Sequence, residues 1–483
     1  MVTSALPYVN NVPHLGNVVC ILSADVYARY LKSRGYQVIS VLGTDEHGTT
    51  TEAKAIEEGL TPQQLVDKYF AIHKEIYEWF NTDFDCFGRT SSPTNKQVTQ
   101  DMFVKLQKNG HIVEREQEQM FDTQVNKFLS DRFIEGTCPF CKYEQARGDQ
   151  CEHCGKLLEP TQLIDPKSKL SGTKPIVKST KHLFLKLDTL QPALEAFVKE
   201  REASWSDNAR TTTQAWLKEG LKERAITRDL DWGIPVPGYE HKVFYVWFDA
   251  PIGYVSITKE NRDDFDDWWH NPDNVRLVQF MGKDNIPFHT ILFPATCIGA
   301  DDNYTLMDTM SVNEYLNYES GKFSKSRGEG VFCDDAKQTG IPADNWRYLI
   351  MAIRPEREDS TFDWSDFQEK INKELLGNFG NLINRTLSFT NRFFDSKVPN
   401  LSTKELDFSQ DYKEITQALD AIELRKALKA IMNVARQANQ YFQEKQPWQE
   451  VKQAKADNII ANLLVVCRDL AILMQPYMPQ VSH

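Results

Sequence analysis

The chain of 483 residues lacks any apolar run long enough to cross a bilayer. It also lacks a signal peptide, because Met1 is followed almost at once by a stretch punctuated with proline and glycine rather than by a basic region and an apolar core. Both absences favour a soluble protein of the cytoplasm with no membrane partner. Low-complexity tracts and internal repeats are missing too, and 41% hydrophobic residues are enough to build large cores.

Cysteine is sparse outside one cluster. Of nine cysteines, four fall between Cys138 and Cys154, and the other five are scattered in apolar surroundings. This distribution excludes a disulfide framework and is typical of a reducing compartment. A phosphate-binding loop of the G-x-x-x-x-G-K-[ST] type is also absent, which argues against a P-loop ATPase. The net charge of −12 argues against indiscriminate binding of nucleic acid, although it does not exclude a local RNA surface.

Strand and helix patterns alternate in the first part of the chain. The segments 2–6 and 38–43 have the composition of buried strands, whereas 18–33 and 50–58 repeat apolar residues at helical spacing. Such alternation predicts a parallel sheet with a ligand at the carboxyl ends of its strands. Further β-rich runs lie at 243–247 and 275–280. After Asp363 the pattern becomes helical, most clearly at 415–442 and 456–478.

The cysteine cluster consists of two C-x-x-C pairs, Cys138 with Cys141 and Cys151 with Cys154. Each pair can offer two thiolates to one tetrahedral ion, so the cluster predicts a structural zinc site with no open position. The alternative is a pair of redox dithiols, but neither pair lies in a thioredoxin-like unit. His153 is an alternative ligand inside the second pair, although a solvated histidine explains it equally simply.

Two short motifs carry the hypothesis about chemistry. The letters HLGN at 14–17 open a helical run, and GKFSKSRG at 321–328 places two lysines three residues apart. Taken singly, they are an ordinary helix start and a solvated basic loop. Taken together, a helix N-terminus and two ammonium groups can neutralise the charge that spreads over a triphosphate during phosphoryl chemistry.

With these two motifs the chain resembles the class I aminoacyl-tRNA synthetases, whose ATP-handling motifs are written HIGH and KMSKS. Four further blocks occur in the order of one family, the methionyl-tRNA synthetases: ALPY at 5–8, GTDEHG at 43–48, GDQC at 148–151 and VWFDAPIGY at 246–254. The last block is the most specific, because it belongs to the methionine pocket of that family. The resemblance covers essentially the whole chain and is strongest to the eukaryotic cytosolic form.

The resemblance implies a methionine–tRNA ligase, which activates L-methionine with ATP and transfers it to the 3′ adenosine of tRNA(Met). It implies an α/β fold: a doubly wound, Rossmann-type catalytic domain with a zinc-bearing insertion, followed by an all-α helical bundle. The expected boundaries are 1–110 and 226–320 for the two catalytic halves, 111–225 for the insertion, 321–370 for the KMSKS loop and a stem-contact region, and 371–483 for a helical anticodon-binding domain.

Residue roles follow from the same resemblance. Asp45 is expected to hold the substrate ammonium and Arg228 to steer its carboxylate, while Gly282 and Asp284 reach the adenosine. ATP handling and catalysis are expected of His14, Asn17, Lys322 and Lys325. The methionine side chain is expected to be enclosed by Leu6, Tyr8, Trp247, Ala250, Pro251, Tyr254 and His289, and the CAU anticodon to be read by Asn381, Arg385 and Trp448. The ordinary alternatives are core packing for the aromatic residues, a helix cap for Asp45 and a packed loop for Trp448.

The chain departs from the family in three places. Asn17 stands where HIGH ends in histidine, and Phe323 stands where KMSKS has methionine, but donors and ammonium groups are kept. Many relatives carry a second zinc knuckle, whereas the corresponding segments 120–124 and 165–169 contain no cysteine, so one zinc ion is expected. The sequence stops at His483, inside the expected last helices, which suggests trimming.

Mg²⁺ is expected to accompany ATP, and in a longer form of the protein multisynthetase or scaffold partners are to be considered. Two rival hypotheses stay open at this point. One is a related class I enzyme for leucine, valine or cysteine, against which the block at 246–254 speaks. The other is a non-catalytic tRNA-binding or scaffold protein, which loss of His14 or of the two lysines would signal. None of them is lost.

Overall fold

The structure, a computed structural model, describes residues 1–129, 133–148, 151, 153–154, 158–319, 321, 329–449 and 454–482. Two compact units divide the chain. The first consists of Met1–Val12, Ile39–Lys74 and Phe84–Ser311, and the second of Pro13–Val38, Glu75–Asp83 and Val312–His483. Both Lys322 and Lys325 lie outside the described residues.

The strands in chain order are β1 (Val2–Ser4), β2 (Ser40–Thr44), β3 (Cys86–Arg89), β4 (Ile112–Asp122), β5 (Lys127–Phe128), β6 (Ile134–Thr137), β7 (Ala146–Arg147), β8 (Ile164–Ser168), β9 (Ile176–Leu185), β10 (Arg224–Ala225), β11 (Thr227–Arg228), β12 (Val243–Phe244), β13 (Leu277–Gly282), β14 (Met307–Asn313), β15 (Leu316–Tyr318) and β16 (Ser360–Phe362).

The α-helices are α1 (Leu15–Ser33), α2 (Thr49–Glu58), α3 (Pro62–Trp79), α4 (Pro93–Lys108), α5 (Leu187–Arg201), α6 (Asp207–Glu219), α7 (Val246–Asn261), α8 (Phe265–Trp269), α9 (Phe293–Ala300), α10 (Cys333–Gln338), α11 (Ala343–Ala352), α12 (Trp364–Glu369), α13 (Asn381–Phe394), α14 (Ser409–Asp420), α15 (Leu424–Lys445) and α16 (Ala454–Met474). Short 3₁₀ turns lie at Pro160–Gln162, Glu202–Ser204, Lys283–Asn285 and Pro447–Gln449, and π-helical segments lie at Phe288–Leu292 and Lys370–Gly380.

A sheet with the strand order β14-β13-β1-β2-β3 is the centre of the first unit. β1 runs parallel to β2 and β13, and β2 runs parallel to β3, which confirms the predicted parallel sheet. Helix α7 lies close against it. A Cβ added at Gly43 would come within 2.3 Å of Ile257 Cδ1, and one at Gly88 within 2.9 Å of Ile257 Cγ1. Because Gly43 and Gly88 have no side chain, α7 can approach the sheet this closely.

The segment predicted as an insertion, 111–225, contains a long antiparallel ribbon. β4 pairs with β9 from Ile112 opposite Leu185 to Phe121 opposite Ile176, and β5 and β10 extend the ribbon into one sheet. A smaller sheet, in the order β7-β6-β8, carries the cysteine pairs. Its core contains the buried residues Met120, Leu129, Phe133, Ile134, Cys138, Ala146, Cys151, Leu158 and Leu163.

Helices dominate the described part of the second unit. Arg347 of α11 and Asp25 of α1 form an ion pair of 2.6 Å whose side chains are both fully buried. Arg347 also donates to the backbone carbonyls of Phe80, Pro476 and Tyr477. A buried charge needs this degree of satisfaction, so the guanidinium fixes how three distant parts of the chain meet. Among the described residues, no helix combines the length and apolarity that crossing a membrane requires.

Two predictions about local structure are wrong. The run at 243–247 is a strand only at Val243–Phe244, which pairs with β11 outside the parallel sheet, and helix α7 begins at Val246. Short apolar runs of this kind are compatible with a buried helix as well as with a strand. The helical run at 415–442 is two helices, α14 and α15, separated at Ile422, whose φ of 58° lies in the left-handed region.

Candidate active site

Asp45 lies directly after β2, at the carboxyl end of the parallel sheet. Its backbone N–H donates to Pro7 O at 2.9 Å, and its carbonyl accepts from Val9 N–H at 3.3 Å. Its side chain is 2% exposed, and Oδ1 has no hydrogen-bond partner among the described residues. Burial and, next, the Asp249 carboxylate raise the pKa of Asp45 well above its usual range. A buried acid in this condition is suited to a cationic ligand.

His47 and Asp249 form a buried pair beside Asp45. His47 Nδ1 lies 2.7 Å from Asp249 Oδ2, while Asp249 Oδ1 has no partner among the described residues. Burial raises the pKa of Asp249, and His47 opposes that shift. The indole of Trp232 lies against the His47 ring, with centroids 5.5 Å apart, and donates to Glu46 O at 2.6 Å. This arrangement fixes the orientation of the imidazole.

Three aromatic rings contact one another in a row that begins at Tyr8, the backbone partner of Asp45. Tyr8, which pairs with Asp45 through the backbone, meets Trp247 edge to face at 6.1 Å. Trp247 stacks on Phe288 at 3.9 Å with the rings 7° from parallel. Aromatic edges and faces of this kind pack favourably on a polarisable thioether. Trp247 is presented by the first turn of α7, and Tyr8 follows β1.

Tyr254 and His289 form a second pair within the same unit. His289 Nδ1 lies 2.9 Å from the Asn285 carbonyl, and Nε2 lies 2.9 Å from the Tyr254 hydroxyl oxygen. Burial lowers the pKa of His289 to about 4, so the ring is neutral at pH 7. The Nδ1–H therefore donates to Asn285, and Nε2 accepts from Tyr254. His289 belongs to a π-helical turn, Phe288–Leu292, a distortion often found at functional sites.

The remaining residues predicted to bind methionine are close to these groups in the chain or in contact with α7. Ala250 and Pro251 are buried in α7, between Trp247 and Tyr254. Leu6 approaches the same helix, because a Cβ added at Gly253 would lie 2.9 Å from Leu6 Cδ1. The structure thus gathers all seven side chains predicted to enclose methionine on α7 or in contact with its residues.

Arg228, Gly282 and Asp284 complete the predicted set in the first unit. The Arg228 guanidinium lies over the ring of Tyr245, 3.9 Å from its centroid. Tyr245 immediately precedes α7. Gly282 ends β13, and a Cβ added there would meet nothing within 4 Å. Asp284 is exposed in the 3₁₀ turn that follows. Both are at the carboxyl end of the sheet, where ligands of such folds bind.

In the second unit, His14 caps α1. Its backbone N–H donates to Asn17 Oδ1 at 3.0 Å, so Asn17 reaches back to the start of the helix. A Cβ added at Gly16 would lie 2.9 Å from His14 Cε1, so glycine makes room for the imidazole over the first turn. Burial lowers the pKa of His14 to about 4. A neutral histidine at a helix N-terminus can serve an anion as a hydrogen-bond donor.

The residues that follow the lysine segment return to this helix start. Leu15 N–H donates to Val331 O at 3.2 Å, and Cys333 N–H donates to Pro13 O at 2.9 Å. The ring of Phe332 meets that of His14 edge to face at 6.3 Å. The described chain therefore resumes after residue 328 beside the predicted ATP-handling cap.

An open groove of about 480 Å³ lies among the helices of the second unit. Asn381 and Arg385, one turn apart on α13, line it. Arg385 lies 4.2 Å from the centroid of Phe442, which stacks in turn on Trp448 at 6.0 Å. Trp448 is 41% exposed. The rest of the lining is Lys373, Glu374, Gly377, Asn378, Arg436, Asn439, Gln440 and Gln443.

The sulfur atoms of Cys138, Cys141, Cys151 and Cys154 all lie within 4.8 Å of one another. Two of the separations are 3.9 Å, from Cys138 to Cys154, and 3.6 Å, from Cys141 to Cys151. Thiolates about 2.3 Å from a tetrahedral zinc ion are about 3.8 Å apart, so the cluster has the size of a metal site.

Comparison with known proteins decides the family. The family described as tRNA synthetases class I (M) matches residues 1–387, and the anticodon binding domain of methionyl tRNA ligase matches residues 400–483. The chain belongs to the methionine–tRNA ligases, a family of class I aminoacyl-tRNA synthetases. The resemblance and the fold class expected from the sequence are thereby confirmed.

Relatives agree with this assignment. A probable cytoplasmic methionine–tRNA ligase of Dictyostelium discoideum is 50% identical over all of this chain and 68% of its own length. The cytoplasmic ligase of Homo sapiens and that of Borrelia hermsii are both 49% identical, with 55% and 67% of their lengths covered. The chain thus spans between about half and two thirds of the curated relatives it matches.

A solved structure shows the same fold. Methionyl-tRNA synthetase of Mycobacterium tuberculosis, bound by methionyl-adenylate, superimposes with a TM-score of 0.81 over all of this chain and 92% of that one, at 23% identity.

Sequence reasoning missed several residues of the site. His47 and Asp249 lie inside the blocks that carry the family resemblance, and Phe288 immediately precedes His289, but none of the three received a role. A buried His and Asp far apart in sequence leave no spacing signal. A weaker signal was an ionisable residue inside an apolar run, Asp249 between Phe248 and Ala250.

Proposed function

We propose that this chain is a methionine–tRNA ligase that forms methionyl-adenylate and pyrophosphate from L-methionine and ATP, and then transfers methionine to the 3′ adenosine of tRNA(Met). The observation that carries the proposal is Asp45, a buried carboxylate of which one oxygen has no hydrogen-bond partner in the part of the chain that the structure describes, and which is joined through Tyr8 to the Trp247 ring. A negative group beside a set of aromatic rings suits an amino acid with a charged ammonium and a soft, apolar side chain.

In this proposal Asp45 receives the α-ammonium, and Arg228 attracts the α-carboxylate. The thioether packs against Tyr8 and Trp247, whose rings are held edge to face. Tyr254 and His289, fixed by their mutual hydrogen bond, close the side-chain site together with Leu6, Ala250 and Pro251. Rigid aromatic walls of this kind reject a shorter or branched side chain only modestly, by roughly 1–3 kcal/mol per methylene.

The chemistry needs no nucleophile from the protein. An oxygen of the methionine carboxylate attacks the α-phosphorus of ATP, the bond from that phosphorus to the bridging oxygen breaks, and pyrophosphate leaves. The 2′-oxygen of the terminal adenosine then attacks the acyl carbon of the adenylate, loses its proton, and AMP departs. Positioning and neutralisation of charge supply most of the acceleration of such transfers.

ATP handling is assigned to His14, Asn17, Lys322 and Lys325, with Gly282 and Asp284 at the adenosine and Mg²⁺ on the phosphates. The cap geometry of His14 and Asn17 supports the first two roles. For the lysines, which lie outside the described residues, the sequence motif is the support. Replacing Lys325 with alanine is expected to abolish methionine-dependent pyrophosphate exchange in a folded protein; exchange at nearly the wild-type rate would contradict the role.

Anticodon reading is assigned to Asn381, Arg385 and Trp448. The groove lined by the first two, and the stacked series Arg385, Phe442 and Trp448, support this assignment. Single-stranded RNA readers use such planar groups to stack on bases and hydrogen-bond to their edges.

We also propose one zinc ion held by Cys138, Cys141, Cys151 and Cys154, whose sulfur separations fit a tetrahedral site. The ion would close the small sheet of the insertion and has no open position for chemistry. Elemental analysis of purified protein is expected to give one zinc per chain; two, or none, would contradict it.

Localisation in the cytoplasm is proposed from the names of the relatives, several of which are cytoplasmic ligases. The domain boundaries 1–110, 111–225, 226–320, 321–370 and 371–483 also stay a proposal, as do multisynthetase or scaffold partners of a longer form.

The decisive experiment is pyrophosphate exchange with a panel of amino acids, followed by charging of tRNA(Met) transcript. Methionine is expected to support both reactions, whereas leucine, valine and cysteine support exchange at least tenfold more weakly. Preference for another amino acid would favour a different class I enzyme. Binding of tRNA without exchange would favour a non-catalytic protein.

A further inference from the structure

Two buried carboxylates, one directly after β2 and one in the first turn of α7, are linked by His47, which follows the first by two residues and contacts the second. Asp45 is 2% exposed and Asp249 is 0% exposed, and the charge of Asp249 acts on Asp45. Each has an Oδ1 atom that is buried without a hydrogen-bond partner among the described residues. A buried acceptor without a hydrogen bond lowers the stability of the free protein. The presence of two such acceptors points to a ligand that supplies both N–H donors and positive charge.

His47 satisfies only one side of Asp249. Its Nδ1 lies 2.7 Å from Asp249 Oδ2, and its ring is held against Trp232. Trp232 is itself fixed, because its indole donates to Glu46 O and its backbone N–H donates to Glu52 Oε1 at 3.0 Å. The imidazole therefore anchors one oxygen of Asp249, while the other has no partner within the described ranges.

We propose that Asp249 is a specificity-determining residue that supplies a second negative charge at the ammonium end of the methionine site, with His47 positioning it. The inference rests on the proposed function and extends it. An ammonium group has three N–H donors, enough for the unpaired oxygens of both carboxylates, and its charge relieves the repulsion between them. The site therefore selects amino acids by the charged ammonium as well as by the side chain.

A purely structural role explains less. An acidic residue in the first turn of α7 stabilises the helix through its macrodipole, as Asp249 does. That benefit is available to an exposed carboxylate. It requires neither complete burial nor a histidine that holds a single oxygen, and it predicts no effect on the choice of ligand.

The test compares two ligands that differ only in the ammonium group: L-methionine and 4-(methylsulfanyl)butanoate. Their dissociation constants are measured by titration calorimetry on the wild-type chain, Asp249→Asn and His47→Gln. Asparagine keeps the shape and removes the charge. The dissociation constant for methionine is expected to rise roughly ten- to a hundredfold in Asp249→Asn, while that for the butanoate stays within about twofold. His47→Gln is expected to shift the same ratio in the same direction by roughly three- to tenfold.

Asp122→Asn is the matched control, because Asp122 is a fully buried carboxylate of β4 that accepts from Gln124 N–H in the insertion. It is expected to leave both dissociation constants unchanged. Equal weakening of both ligands in Asp249→Asn, or no change in either, would overturn the inference. If Asp249→Asn does not fold, as judged by its circular dichroism melt, an unchanged ratio in His47→Gln overturns it. Failure of the proposed function itself is distinct: the wild-type chain would then show no methionine binding or exchange.

Discussion

The proposed methionine site of the first unit and the proposed anticodon groove of the second unit differ in how they would recognise their ligands. The first uses buried charge: Asp45 and Asp249 are almost wholly removed from solvent and incompletely paired. The second has a partly exposed lining of amides and charged side chains, in which Asn381 to Asn439 at 3.4 Å and Arg385 to Gln443 at 3.3 Å are long hydrogen bonds.

The difference follows from the ligands proposed for each. A small ion can be enclosed, so a few buried groups can contribute a large free energy each, at a cost to the stability of the free protein. An RNA base arrives attached to a long polymer and stays partly solvated, so recognition is spread over stacking and hydrogen bonds that each contribute less. Removing one polar group should therefore lower activity more at the proposed methionine site than in the groove.

The largest effect is expected at Asp45. Asp45→Asn should lower kcat/KM for methionine in pyrophosphate exchange by roughly 30- to 5,000-fold, because truncating one member of a buried charge pair costs about 2–5 kcal/mol. A decrease of less than about threefold would place the ammonium elsewhere and remove the contrast with the groove.

The same substitution should make the free protein more stable at neutral and alkaline pH. Because the pKa of Asp45 is raised in the folded state, its contribution to stability is complete below the ordinary aspartate pKa of about 4 and is lost as pH rises through the raised value. The melting temperature of Asp45→Asn should therefore exceed that of wild type at pH 8, and the two should converge in acid. A variant that melts lower at pH 8 would contradict the conclusion that burial of the charged Asp45 carboxylate destabilises the free protein.

An intermediate effect is expected at Arg385. Arg385→Gln should lower kcat/KM for tRNA charging by roughly 5- to 150-fold, the cost of about 1–3 kcal/mol for a lost stacking partner, while pyrophosphate exchange stays within about twofold. Arg392→Gln is the control on the same helix, since Arg392 also lies over a phenylalanine ring, Phe393, but does not line the groove. Equal losses in the two variants would indicate a general charge effect.

The smallest effect is expected at Asn439, whose Oδ1 accepts from Asn381 and whose amide donates to Asn378 O at 2.7 Å. Asn439→Ala should lower charging by roughly 2- to 12-fold, since a neutral hydrogen bond contributes about 0.5–1.5 kcal/mol, with exchange unaffected. A loss as large as that of Asp45→Asn would show that the groove also relies on a few dominant groups.

Much of the sheet could be predicted from the sequence, because buried parallel strands such as β2 and β13 are short apolar runs between punctuating residues. The start of α7 could not, since Val246 and Trp247 fit a strand and a buried helix equally well. The choice was made by tertiary packing, with Ile257 of α7 lying against Gly43 and Gly88. Likewise the break at Ile422 leaves no local signal, because a β-branched residue is a poor candidate for a left-handed conformation.

The candidate site also contains residues that the sequence predicted and residues that only the fold brings together. Residues inside motifs, such as Asp45 and Trp247, were found by resemblance. The partnership of His47 with Asp249 joins positions 202 apart in sequence, and only the folded sheet and helix bring them together. The resemblance predicted Asn381 and Arg385 as anticodon-reading residues on one helix face, but no groove was predicted. The opposite wall, with Asn439 and Gln443, comes from a different helix whose polar residues look like an ordinary solvated face.

The π-helical turn that holds His289 also has a consequence for how this part of the chain can vary in length. Such a turn accommodates one more residue than an α-helical turn does. Deleting a single residue there would restore a regular α-helical turn and leave the two flanks in nearly the same relative orientation, because the extra residue is held within that one turn. The residues of the turn itself, His289 among them, would shift in position, so the hydrogen bond between His289 and Tyr254 depends on the length of this turn as well as on the two side chains.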